Sequence, residues 1–116
     1  MILRPSLVTI QGANSPWLYL CVQHPQMVHD FALTPSYAIF LDGNLLFDPS
    51  AIVKTKTVPL VPTPSAPGRI GLVKKSEPEN GVALWFEVPS FYAMHTAAAW
   101  EEGSDTVCLA MCECAP

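Results

Sequence analysis

The stretch Arg69-Ile70-Gly71-Leu72-Val73-Lys74-Lys75, Glu77-Pro78-Glu79-Asn80-Gly81, Val82-Ala83-Leu84-Trp85-Phe86-Glu87-Val88 decides the fold class. Apolar, β-branched and aromatic runs separated by turn formers read as strands. Downstream, the pattern repeats. Phe91-Tyr92-Ala93-Met94-His95-Thr96-Ala97-Ala98-Ala99-Trp100 is followed by a turn at Glu102-Gly103-Ser104-Asp105 and by a last run over residues 106–112. Four strands in succession joined by short turns predict an all-β, antiparallel architecture, either a sandwich or a propeller blade.

Upstream, residues 7–10, the turn Gly12-Ala13-Asn14-Ser15-Pro16 and residues 17–22 read as strand, turn, strand, a hairpin. After His24-Pro25 comes Met27-Val28-His29-Asp30-Phe31-Ala32-Leu33-Thr34, taken as extended, then strands over 37–41 and 45–47 around Asp42-Gly43. Asp-Gly between apolar runs predicts a hairpin turn. Residues 51–56 are expected to form one or two helical turns capped by Asp48 or Ser50. Prolines at 59, 62, 64 and 67 make residues 58–67 an extended connector between two units, about 1–57 and 68–116. Pro59 and Pro62 also match a PxxP ligand, but such matches recur by chance and the connector reading is preferred.

Composition limits the functions. Charged residues make up 14% of the 116 residues and hydrophobic ones 50%, so the chain reads as part of something larger or as a domain that touches a membrane. Twelve prolines disfavour long helices, because proline lacks an amide donor and clashes in a helix interior. A net charge of −4, with no basic cluster beyond Lys74-Lys75, offers nucleic acid no track. No apolar stretch is long enough for a spanning helix, and Met1-Ile2-Leu3-Arg4-Pro5 lacks the pattern of a secretory leader. No Gly-x-Ser-x-Gly elbow, phosphate-binding glycine loop or His-Glu-x-x-His motif is present.

Chemistry therefore rests on histidine and cysteine. Cys108, Cys112 and Cys114 stand at even separations, which on one regular strand places them on one face. They read as a thiolate metal site or as reduced, buried strand residues, and the second is preferred because zinc sites usually bring cysteine pairs on turns. His29 and His95 each sit in an aromatic-rich segment, and neutral imidazole is a natural ligand for a redox metal. Each could equally be a hydrogen-bonded structural histidine. On a strand, alternation would turn Met27 and Phe31 to the side of His29, Ala93 and Ala97 to the side of His95, and Asp30 away. Glu101 lies too far along the strand to share an ion with His95, and the pair Glu101-Glu102 reads as strand-end and turn chemistry. His24 reads as a loop residue.

Five segments carry a resemblance: Met-Val-His-Asp-Phe-Ala-Leu-Thr-Pro-Ser-Tyr-Ala-Ile-Phe (27 to 40), Leu-Leu-Phe-Asp-Pro (45 to 49), Gly-Arg-Ile-Gly-Leu (68 to 72), Trp-Phe-Glu-Val-Pro (85 to 89) and Met-His-Thr-Ala-Ala-Ala-Trp-Glu-Glu-Gly (94 to 103). Together, and in this order, they resemble the carotenoid cleavage dioxygenases. The resemblance implies about two blades of a seven-bladed β-propeller, with His29 and His95 as two of four histidine ligands of a non-haem Fe(II). No catalytic residue beyond the metal ligands is implied. The family has asparagine at the position of Ala98. Its other two histidine segments and its ligand-orienting glutamates have no counterpart among these residues, so the chain reads as an internal fragment.

The implied function is O2-dependent cleavage of a carbon-carbon double bond in a carotenoid or apocarotenoid, with the fragment itself inactive. Within the family, retinyl-ester isomerisation and stilbene cleavage are the neighbouring activities. Ala97, Ala98 and Ala99 would leave room beside His95, and Phe31 would touch an apolar substrate. Plain strand packing accounts for both equally well. By analogy the protein works in plastids or at a membrane surface. The alternative is a non-catalytic β-rich module that binds lipid or protein, or an inactive truncated product.

Overall fold

Tyr37 to Asp42 alternates in a way that builds the centre of the molecule. In the computed structural model, which describes residues 6–10, 18–77 and 82–114, β1 (Ser6–Ile10) and β2 (Leu18–Val22) pair antiparallel. The turn expected between them lies outside the described residues. Next come β3 (Ala32–Leu33) and β4 (Tyr37–Asp42), then β5 (Leu45–Phe47), α1 (Ser50–Thr55) and β6 (Leu60–Pro62). The chain continues with β7 (Gly68–Lys74), β8 (Val82–Val88), β9 (Ala93–Glu102) and β10 (Thr106–Glu113). The all-β, antiparallel reading holds, with one short helix.

A four-stranded sheet runs in the order β3-β4-β7-β8. On its inner face Ile39 stands opposite Ala32 and Leu72, and Leu72 stands opposite Leu84. The second sheet, the β9-β10 hairpin, lays Ala99, Val107 and Leu109 on the buried cluster of Ala32, Ile39 and Leu72. It covers only part of that face. Leu84 and Phe86 stay about half exposed beside a groove of about 370 Å³. The opposite face carries Phe40, Asp42, Gly71 and Trp85. Asp42, fully buried, accepts hydrogen bonds from the Arg69 Nε at 2.9 Å and the Gln23 amide at 3.1 Å, and pairs with the Arg69 guanidinium. A buried carboxylate without such partners would be expensive. Arg69 in turn lies 4.3 Å over the Trp85 ring.

Several local expectations need correction. Asp42-Gly43 does not turn a hairpin: β4 pairs with β3 and β7, while β5 pairs with β6. The physical reason is that Asp42 is spent on Arg69, and Gly43 is pressed against Phe91, whose Cε2 would lie 2.9 Å from any added Cβ. The helix starts at Ser50 with Pro49 as its N-cap and no side-chain cap bond; Asp48 instead accepts from the Ser50 amide at 2.9 Å. Within 58–67, Leu60 to Pro62 form a ladder with β5, and β4 and β7 pair from either side of this segment.

Asn44 then sets where the second sheet begins. Its side chain, 1% exposed, donates to Thr63 O and Ala66 O at 3.0 and 2.8 Å and accepts from the Phe91 amide at 3.0 Å. Its own amide donates to Phe91 O at 2.9 Å. The Phe91 ring fills the space that Gly43 and Gly68 leave by having no side chain. At the far end of β9, Glu101 accepts from the Ser36 amide and hydroxyl at 2.8 and 3.0 Å.

Two outcomes follow. Replacing Asn44 by alanine leaves one buried and two part-buried main-chain groups without its side chain, and chemical denaturation should show a loss of about 2–4 kcal/mol. Hydrogen bonds from Thr34 and Ser36 hold the Glu101 carboxyl below its ordinary 4.5. Its stabilisation is therefore present above that value and is lost as pH falls through the lowered one. Wild type should lose more stability than Glu101→Gln on acidification from about pH 6 to about pH 3; parallel curves would contradict the assignment.

Candidate metal centre

His29 does not lie on a strand, contrary to the sequence reading. It belongs to the segment between β2 and β3, where Pro25 has no amide to give a ladder. Other contacts hold this segment: Phe47 N donates to Pro25 O at 2.8 Å, and Gln26 Nε2 donates to Gly43 O at 3.0 Å and to Asp42. His95 is the third residue of β9, opposite Cys112.

The β9-β10 register is irregular on both sides of His95. Ala110 faces Ala98 but Met111 faces Thr96, and Cys112 faces His95 but Glu113 faces Ala93. Each shift inserts one extra residue in β9, at Ala97 and at Met94. Bulges re-aim side chains and collect near functional sites. Here they break the parity that would have put Ala93 and Ala97 on the side of His95.

The two imidazoles meet. Their ring centres are 4.6 Å apart and their planes stand at 86°. Two ring-nitrogen donors this close could hold one ion between them. Edge-to-face ring packing covers the same separation, so the distance serves either role. Neutral nitrogen donors suit iron, and both residues are exposed enough to admit an ion. The pair fits as part of a donor set. Among the described residues no third histidine, cysteine or carboxylate joins them.

Asp30 forms no donor group with the pair among the described residues, and its partner is one that sequence reasoning missed. Oδ2 accepts from both the amide and the hydroxyl of Thr96 at 2.8 Å, while Oδ1 accepts from the Phe31 amide at 2.8 Å. These bonds, those from Thr96 first, hold the carboxyl below its ordinary 3.8. The available signal was the matched order of two dyads, His29-Asp30 and His95-Thr96.

Other candidates separate from the site. His24 stays in a loop with Nε2 buried and unpartnered. Cys108, Cys112 and Cys114 are free, but the buried reading fails: Cys112 and Cys114 are exposed, and Cys114 lies beyond β10. Burial pushes the Cys108 thiol up, with the Glu102 carboxylate adding to it. Beside His29, Phe31 is 40% exposed and stacks on Phe40 at 5.3 Å, with Met27 and Val28 also exposed.

Comparison with known proteins places this arrangement. The family model described as retinal pigment epithelial membrane protein matches residues 6–116. A carotenoid 9,10(9',10')-cleavage dioxygenase 1 from Phaseolus vulgaris is 37% identical over 88 residues, covering 76% of this chain and 16% of the relative. The chloroplastic 9-cis-epoxycarotenoid dioxygenase NCED1 of Oryza sativa subsp. japonica is 36% identical over 92 residues, 79% of this chain and 14% of the relative. A chromoplastic zeaxanthin 7,8(7',8')-cleavage dioxygenase from Crocus sativus is 35% identical over 80 residues, 69% of this chain and 21% of the relative. The chain thus spans about one sixth of the length of the first of these. On these matches the chain belongs to the carotenoid oxygenase family.

Proposed function

We propose that these residues form part of a carotenoid or apocarotenoid cleavage dioxygenase in which His29 and His95 are two of the ligands of a non-haem ferrous ion. The observation that carries this reading is the meeting of two imidazoles from distant segments at 4.6 Å in a chain of this family. When bound, the ion supplies the activation of O2 needed to split a carbon-carbon double bond into two carbonyl groups.

The chain's own residues hold and shape. Neutral imidazoles contribute no charge, so the ion keeps its full Lewis acidity. Phe31, braced by Phe40, offers a flat apolar surface next to His29 against which a polyene can lie, and Met27 and Val28 extend it. Such a surface excludes water and orients one bond by contact rather than by hydrogen bonding. The β9-β10 hairpin stacked on the four-stranded sheet supports the reading of the two sheets as neighbouring blades, about two of seven, with the histidines on the side of the axis. Relatives named as chloroplastic support a plastid location, and the exposed apolar residues suit work at a membrane surface, where such substrates partition.

In the intact protein, His29→Ala and His95→Ala should each lower bound iron and cut polyene cleavage by more than the about 100-fold that losing an outer hydrogen-bonding partner costs. Iron analysis of the purified variants checks this. Undiminished iron in both would overturn the ligand assignment.

A further inference from the structure

We propose that Asp30 is a positioning residue of the metal centre, a clasp that fixes the spacing of His29 and His95 without touching either ring. The proposal rests on the metal-centre reading above. Asp30 and Thr96 are 66 residues apart in the chain, yet one carboxylate oxygen takes both donors that Thr96 has, at 2.8 Å each. The other oxygen takes the Phe31 amide at 2.8 Å, which turns the Asp30 side chain back on its own main chain. The carboxylate therefore ties the main chain directly after His29 to the main chain directly after His95.

Among the described residues no other hydrogen bond joins these two stretches. The His29 segment has no strand ladder, and β9 is paired only with β10, so its outer edge has amides to give. Asp30 takes the one at Thr96, which is paired with Met111 between the two extra residues Met94 and Ala97. A carboxylate accepting several hydrogen bonds is rigid, and rigid support of ligands is what preorganises a site. No hydrogen bond joins Asp30 to either imidazole among the described residues; beside the attraction between its carboxylate and His95, its hold on the pair passes through the backbone.

The test uses the intact protein stripped of metal and titrated with cobalt(II), read by visible absorption, with ferrous affinity measured by chelator competition. Asp30→Ala should weaken both affinities about 10- to 100-fold and alter the cobalt spectrum. Asp30→Asn keeps an oxygen that can accept from Thr96 and should restore most of the affinity. Thr96→Val removes one of the two donors and should give a smaller loss of the same kind, readable even where Asp30→Ala does not fold. His29→Ala separates the two claims. If it binds cobalt(II) like wild type, the metal centre and the clasp both fall; if it loses cobalt(II) while Asp30→Ala and Thr96→Val keep wild-type affinity and spectrum, the clasp alone falls.

Discussion

Asn44 is 1% exposed and makes five hydrogen bonds with main-chain groups, and the placement of the second sheet depends on that constraint. Its side chain reaches Thr63, Ala66 and Phe91, and its amide returns to Phe91 O. A buried amide that is fully paired admits one arrangement, because every alternative strands a donor or acceptor. Phe91 is thereby held at the corner where the chain leaves β8 and enters β9, with its ring over Gly43 and Gly68. His95 follows four residues later, on a strand whose start is no longer free to slide.

The same logic continues toward the site. Apolar packing of Ala99, Val107 and Leu109 on Ile39 and Leu72 settles which face of the hairpin is buried. Burial cannot set register by itself where β9 carries two irregularities. Polar ties do that: Glu101 to Ser36 at one end of β9, Asp30 to Thr96 near the other. Both bring residues from before β4 to β9. They leave the imidazoles themselves exposed, so the pair is positioned by its neighbours and kept available for a ligand.

Much of this was legible in the residues. The β-branched runs at 37–42, 68–74 and 82–88 carry their own strand signal, and the turn at 102–105 separates two runs long enough to form a hairpin. The aromatic setting and family-like order of the two histidine segments singled out His29 and His95. What could not be read was anything decided by a partner far away in sequence. Asp42-Gly43 has the local signature of a hairpin, yet Arg69 and Phe91 claim both residues for long-range contacts. The cysteine spacing in 108–114 says nothing of burial, and Cys112 and Cys114 are exposed. The bond from Thr96 to Asp30, 66 residues away in the chain, has no local signal at either residue.

The account stands on one claim, that residues 29 and 95 face a common metal ion. A crystal structure of the intact protein loaded with ferrous iron, with anomalous data at the iron edge, tests it most directly. The account predicts a single peak in bonding contact with a ring nitrogen of each histidine. A peak elsewhere, or two rings packed edge to face with no density between their nitrogens, would contradict it.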